Sequence, residues 1–527
     1  MTSTDADADT SAETDRQLDA VARAYDDALP AGEAGDFALG GPGSSGLDRT
    51  GVHVVAADFA DPTGAWPRSG SFGYGLSAAR ARVAARAELV EEMLLSQHLR
   101  ELPRTRDSHH ALHERLGPGG VVDPLALTLP AGTVVDHDAP RWWLPATRVR
   151  TGETVLVPAE FAAAYPVDLD WQDPAERLIT VITNGCGAGD TRERALGHAL
   201  GELLQRDGNS TAFRALDRGI VIDTGPDDEL VRDPATRALL AHLRDVGIRV
   251  VPKLASTAFG VTDLHVVGHD VAGEPPHPIA VTACGEAADP DREVALQKAL
   301  LEFCAARVRK SFAHADLDRV RPLAPTSYWD RELAHPLLPQ ETRAFETMRD
   351  WAGRDVADLR TLLEPTVLAE RSRVGFDELP TVEHLETPAA RLDDLLGRLA
   401  DFDVLAVVAP AEHAYAVKVI VPGLEVETMS YGRIGRRGVQ RLLGRAADPA
   451  DPAHGLVGLG EPPHAGALPV AMPDVEARLL ARRGGDGRAW LDRERVDAVV
   501  GELYPLYREP SRHAVGRAAA GERVELR

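Results

Sequence analysis

Glutamates are the residues on which chemistry in this chain would turn, because three of them follow paired alanines at the spacing of one helix face. In TNGCGAGDTRERALGHALGELLQRD (residues 183–207), Ala195, Ala199 and Glu202 stand at i, i+4 and i+7. Upstream, GYGLSAARARVAARAELVEE places Ala81, Ala85 and Glu88 the same way, with Glu91 three residues on. Downstream, GEAADPDREVALQKALLEFCAAR places Ala295, Ala299 and Glu302, with Arg307 behind. Gly75 and Gly189 each precede the first alanine of their stripe by six residues. Three helices packed through small residues would aim these carboxylates at a shared point. Gathered glutamates need cations, and Mg2+ with a polyphosphate suits them, since Mg2+ prefers carboxylate, water and phosphate oxygens. Ala and Glu are both strong helix formers, so one copy of the stripe means little by itself. Glu202 and Arg206 at i, i+4 also fit an ordinary helix salt bridge. The glycines of GCGAGD suit a phosphate cradle or, more simply, a tight turn; the loop lacks the Lys-Ser/Thr of a P-loop and the G-x-G-x-x-G spacing.

The elements needed to position these helices fit within 527 residues, enough for two to four domains or one large domain with insertions. A formal net charge of −24 argues against general affinity for nucleic acid or anionic membrane. No stretch has the length and apolarity of a membrane span, and the N-terminus lacks the pattern of a secretory signal. Cys186, Cys284 and Cys304 form no C-x-x-C pair and point to reduced thiols in a cytoplasm.

Residues 1–50 are acidic and glycine-rich and predict a largely disordered arm. GVHVVAADFA predicts a strand, and a glycine turn (Gly70 to Gly75) leads into the first striped helix. LPATRVRTGETVLVPAEF reads as a hairpin around Thr151-Gly152. LITVIT reads as a buried strand before the central helix. GIVIDT, IRVVPKLA, LHVVGHDVA and PIAVTAC read as strands, and CGEAADPDRE as the loop into the third striped helix. Residues 326–400 are helical and polar, an insertion over the main domain. DVLAVVAP and AYAVKVIVPGLE are two more strands. SYGRIGRRGVQRLLGR reads as a solvated basic surface, and residues 446–527 as a C-terminal extension. The predicted class is α/β (α+β). Trp142 and Trp143 read as packing residues, the cysteines as core, and His198 as structural. His109, His110 and His113 lack a partnering Cys or acid pattern, which predicts no metal site there.

The run T-N-G-x-x-A-G-D-T-x-x-x-A-x-x-H-A-L-x-E-L-L-x-R-D resembles the central signature of the YcaO family, and the flanking stripes resemble its other two nucleotide-site helices in the same order. VPGLE (421–425) and the arginines after it resemble the family's closing segment. The resemblance covers 51–445 and implies an ATP- and Mg2+-dependent enzyme acting on a peptide backbone amide of a ribosomally made precursor peptide. Its products would be azolines or thioamides. By position it implies Glu88, Glu91, Glu202 and Glu302 as Mg2+-phosphate ligands, with Glu202 and Arg206 at the catalytic centre. Asn184, Gly187, Asp190, Arg206 and Arg307 would form the ATP-binding set, with Asn184 shaping the loop. Relatives are often homodimers, and with no leader-binding domain recognisable here, a separate partner protein is expected to deliver the peptide. Gln205 stands where the family has a second glutamate, Ala84 replaces a serine, Glu92 an arginine and Ala305 a glutamine. The chain closes on VELR, without the P-x-P-x-P tail common in azoline-forming members; the nearest approach, Pro469 to Pro473, is internal. These departures keep open a catalytically silent scaffold that recruits peptide or an active partner. A ligase acting on a small carboxylic acid is a third reading.

Overall fold

A computed structural model describes residues 17–42, 46–60, 69–212, 214–333, 341–382, 385–427, 432–482 and 487–521. Three glycine-bearing strands are its organising elements. β1 (Glu33–Gly40), β2 (His53–Ala60) and β3 (Ser69–Gly75) form an antiparallel sheet that ends on β3. A second sheet contains β4 (Thr105–Asp107), β5 (Arg141–Arg148), β6 (Thr154–Pro158), β7 (Cys186–Gly189), β13 (Leu405–Pro410) and β14 (Tyr415–Ile420), and ends on β7. The third runs β11-β10-β9-β8-β12, from β11 (Ala283–Asp289) through β10 (Thr262–Asp270), β9 (Ile248–Ser256) and β8 (Ile220–Asp223) to β12 (Ser372–Gly375).

Each of the terminal strands β3, β7 and β11 feeds a striped helix. With a helix over residues 17–28 counted as α1, these are α2 (Ala78–Glu101), α5 (Arg192–Asn209) and α7 (Arg292–His314). Side-chain oxygens of Ser77, Thr191 and Asp291 cap their N-termini. The glycines explain the fit. A Cβ on Gly73 would lie 2.0 Å from the Ala81 carbonyl oxygen, one on Gly187 2.6 Å from that of Ala195, and one on Gly285 2.0 Å from that of Ala299. Strand and helix backbones touch where glycine meets alanine. GCGAGD and CGEAAD, expected as turn and loop, are therefore largely strand; their small residues answer the need for close approach. The helices also pack onward: α2 against β7, α5 against β11, and α7 against β3, which closes the three units into a ring.

Several expectations are corrected. The arm 1–50 is not disordered throughout: Glu33–Gly40 pairs with β2, and Leu39 and Leu47 are buried with Val54 and Phe312. Residues 1–16 lie outside the described residues. LITVIT is irregular rather than a strand, and the carbonyls of Ile182 and Asn184 accept hydrogen bonds from the Lys418 ammonium at 2.6 and 2.7 Å. PIAVTAC is mostly a helical turn, with β11 beginning only at Ala283. The hairpin at Thr151-Gly152 is present as β5 and β6.

Residues 326–400 are no mere cover. Their β12 joins the third sheet in parallel with β8. Met348, Trp351, Leu359 and Leu363 share one buried cluster with Val267 and with Leu456, Leu491 and Leu503 of the C-terminal region. A core built from three distant segments shows no regular stripe in any one of them. The arginine-rich stretch is also partly inward: Arg437 and Arg441 both pair with the fully buried Asp207, the former at 2.8 Å.

Candidate active site

The ring brings the striped glutamates together and fixes each in the same manner. Glu88 Oε2 accepts a hydrogen bond from the Phe72 amide (3.1 Å), Glu202 Oε2 from the Gly185 amide (2.9 Å), and Glu302 Oε2 from the Glu286 amide (2.7 Å). In each case the donor belongs to the strand, or the turn just before it, that feeds the helix. One oxygen of each is thus anchored, and the other oxygen of Glu202 accepts from Arg206 at 3.4 Å. Glu91, one turn beyond Glu88, is close enough to Glu88 and Glu202 to feel both charges.

Burial is the largest influence on the carboxylates at the centre. Burial, followed by repulsion from Glu286, pushes the Glu302 carboxyl up to about 7. Burial raises Glu88, although Arg309 and Arg512 oppose the rise. Burial, then Glu202 and Glu88, raise Glu91 well above the usual carboxylate range. Tyr74 is raised by burial and by Glu302 and Glu88. Glu88 itself keeps contact with solvent.

Arg206 lies among these acids. Burial alone would lower its pKa, but Glu286, Glu202 and Glu302 outweigh that and raise it. It reaches Glu202 at 3.4 Å and Glu286 at 3.6 Å, and its Nε has no hydrogen-bond acceptor among the described residues. Glu286 went unrecognised in the sequence because its segment read as a loop. It is buried, accepts from Asn209 Nδ2 at 3.1 Å, and also pairs with Arg214 at 3.5 Å. His198 and Lys298, one turn before Glu202 and Glu302, project from the same helix faces. Burial lowers the pKa of both. Arg309 and Arg512 lie over the Phe72 ring at 5.6 and 4.2 Å, which brings the C-terminal region to the rim.

Other expected residues fall elsewhere. Arg307 is fully buried and bound to Asp48 (2.9 Å) and Asp270 (3.1 Å), while its Nη1 lacks a hydrogen-bond partner among the described residues. Asp190 lies at the far end of α5, paired with Arg194 at 2.6 Å and more than ten residues from Glu202. Gly187 lies in β7, pressed against α5 at Ala195 and Ala199. Asn184 shapes its loop, donating from Nδ2 to the Val426 carbonyl at 2.6 Å. Cys186 is buried, and burial pushes its thiol up, which suits packing and not nucleophilic attack.

Residues 72–425, well over half of the chain, match the family described as YcaO cyclodehydratase, ATP- and Mg2+-binding. The chain belongs to the YcaO family. A relative from Methanothermobacter thermautotrophicus, named only as an uncharacterized protein, is 26% identical over 408 residues, 74% of this chain and 90% of its own length. The fold is similar to that of YcaO from Methanopyrus kandleri bound with AMPPCP and Mg2+ (TM-score 0.51, 20% identity, 80% of this chain and 94% of that one). It is also similar to a heterocyclase in complex with substrate and cofactor (TM-score 0.53, 18% identity, 76% of this chain). The chain spans about half, 51%, of that heterocyclase.

The residues present fit the family's cofactors, ATP and Mg2+. The donor set is all oxygen, burial and then neighbouring carboxylates hold Glu91 and Glu302 up in pKa, and Arg206 keeps an unpartnered donor. Among the described residues no three acidic, His or Cys side chains already form a closed metal cage. Mg2+ takes one or two carboxylates and fills its remaining positions with water and phosphate oxygens. No helix of the described residues is long and apolar enough to cross a membrane.

Proposed function

We propose that this YcaO chain uses ATP and Mg2+ to activate backbone amides of a ribosomally made precursor peptide. The observation that supports it most is the ring of anchored, cation-seeking carboxylates around Arg206. In this reading Glu88, Glu91, Glu202, Glu302 and Glu286 hold Mg2+ and so place the triphosphate, and Arg206 steadies charge on the transferring phosphoryl group. A nucleophile adds to the amide carbonyl, the oxyanion takes the γ-phosphoryl group with release of ADP, and the C–O bond then breaks with loss of phosphate. A neighbouring Cys, Ser or Thr side chain as nucleophile yields an azoline; sulfide yields a thioamide.

Gln205 does not by itself leave α5 without a nearby acid, because Glu286 brings one to Arg206 from β11. That favours an active enzyme over a silent scaffold. Delivery of the peptide by a separate leader-binding protein remains part of the proposal, as does a homodimer. The test is ADP formation by the purified chain with candidate precursor peptide and partner. Peptide-stimulated turnover abolished by Glu202→Ala is the expected result. Turnover unchanged by that substitution would remove the site assignment, and modification of a leader-bearing peptide by the chain alone would remove the partner.

A further inference from the structure

The carboxylate ring has three seams, where α2 packs against β7, α5 against β11 and α7 against β3. A cation lies at each. Lys418 of β14 lies at the first, where its charge opposes the rise of Glu91, and its ammonium is committed to the Ile182 and Asn184 carbonyls. Arg206 lies at the second, shared between Glu202 and Glu286. Arg309 lies at the third. It follows Glu302 by seven residues, which puts it two turns along the same face of α7. Its charge acts on both Glu302 and Glu88, and its guanidinium lies over the Phe72 ring of β3 at 5.6 Å.

Arg309 differs from the other two in having nothing to hold. Among the described residues its half-buried side chain makes no hydrogen bond and no ion pair. The nearby Glu509 carboxylate pairs instead with His314 at 3.6 Å. A guanidinium carries five N–H donors in a planar fork, and leaving them idle beside an apolar ring is costly unless something binds them.

The C-terminal region brings a second guanidinium to the same place. Arg512 lies over the Phe72 ring at 4.2 Å, gives one nitrogen to the Gly70 carbonyl at 2.8 Å, and also acts on Glu88. Its segment is held down from both sides: Tyr507 Oη accepts from the Ala215 amide at 2.9 Å, and Ser511 Oγ donates to Glu341 at 2.7 Å. Neither Arg309 nor Arg512 is paired with a carboxylate among the described residues. Two like charges over one ring repel each other, and an anion shared between them removes that cost. The Phe72 amide is the one that anchors Glu88, so these cations stand beside a carboxylate fixed for the centre. Acids seeking a cation and arginines seeking an anion in one cleft fit a Mg2+-bound polyphosphate. The acids take the metal, and the guanidinium forks match phosphate oxygens.

We propose that Arg309 and Arg512 bind phosphoryl oxygens of the Mg2+-bound triphosphate at the seam of α7 and β3, so that the C-terminal region forms part of the nucleotide site. The proposal rests on the ATP site placed above at the carboxylate ring. It adds cations at a seam distinct from that of Arg206.

The test is calorimetric titration of the full-length chain with Mg·ATP and with Mg·tripolyphosphate, which offers the phosphates without the nucleoside. The variants are Arg309→Ala and Arg512→Ala, each with its lysine counterpart, and Glu202→Ala is the control for the site itself. Each alanine variant should weaken both ligands by roughly tenfold or more, the value of one charge-assisted hydrogen bond. Each lysine variant, which keeps the charge but not the fork, should recover part of the loss. Should Arg512→Ala lower the denaturation midpoint by freeing the C-terminal segment, Arg512→Lys takes its place, with a smaller weakening of both ligands expected. Unchanged affinity for both ligands in the arginine variants, with binding still lost in Glu202→Ala, would overturn the proposal and leave the carboxylate site standing. Weakened Mg·ATP with Mg·tripolyphosphate unaffected would also overturn it, because the arginines would then serve the nucleoside. Absence of Mg·ATP binding by the native chain, or binding that Glu202→Ala does not alter, would remove the nucleotide site and the proposal with it.

Discussion

Glu302 and Arg307 lie five residues apart on α7, and the two buried charge clusters they join differ in completeness. Around Arg307, Asp48 and Asp270 close on the guanidinium, and their charges hold its pKa above the ordinary value although burial alone would lower it. Around Glu302, burial and then the Glu286 charge push the carboxyl up to about 7 against the pull of Arg206 and Arg309. Asp207 belongs with the first kind: burial would raise it, but Arg437 and Arg441 bring it below its ordinary value. In the Arg307 cluster the chain supplies the opposing charges itself, although Arg307 Nη1 lacks an acceptor among the described residues. A binding cluster is left unsatisfied, to be completed by what it binds.

That contrast breaks if the two sites respond alike to mutation. Arg307→Ala should strip the buried Asp48 of its guanidinium and leave Asp270 to Arg49, and cost about 3–5 kcal/mol of stability, read as a lowered denaturation midpoint, while the folded fraction still binds Mg·ATP. Glu302→Gln should do the opposite: calorimetry should show Mg·ATP binding weakened at least tenfold, with apo stability at pH 8 unchanged or raised, because a raised, repelled carboxylate has been removed.

The pH dependence sharpens the same point. Below about pH 4.5 the Glu302 carboxyl is protonated whether the chain is folded or not. Between that pH and about 7 the unfolded chain ionises and the folded one does not, so apo stability should fall as pH rises through this window. Glu88 and Glu91 are shifted in the same direction and add to the slope. Mg2+ favours the ionised form, so stabilisation by Mg·ATP should grow over the same range, and binding at neutral pH should release protons. Denaturation midpoints at pH 6 and 8, with and without Mg·ATP, measure both. The smallest effect belongs to Asp190→Asn, which should change Mg·ATP affinity by less than about twofold, since its exposed partner is only Arg194.

The striped glutamates were legible because a helix face is written in local spacing, and the hairpin at Thr151-Gly152 because a turn is local too. The glycines were legible as unusual but not as strand: a residue chosen because a helix backbone lies 2–3 Å from where its Cβ would be looks the same in sequence as one chosen for a turn. Glu286 was hidden by that error, although a carboxylate directly after Gly285 was in plain view. Arg437 and Arg441 could not be matched to Asp207, because 230 and 234 residues separate the partners. Residues 326–400 seemed peripheral because their apolar side chains complete a cluster whose other members lie in the third sheet and in the C-terminal region.

The strands beneath α2, α5 and α7 terminate three different sheets, and the glutamates they anchor are about a hundred residues apart along the chain. No early, local step of folding can assemble them. Long chain closures must come first, which is the slow part of any folding reaction, and bringing the acids together then works against their mutual repulsion. The final docking of the three units should therefore be the step that counter-ions accelerate, so that Mg2+ in the refolding buffer would quicken the last phase of folding more than the first.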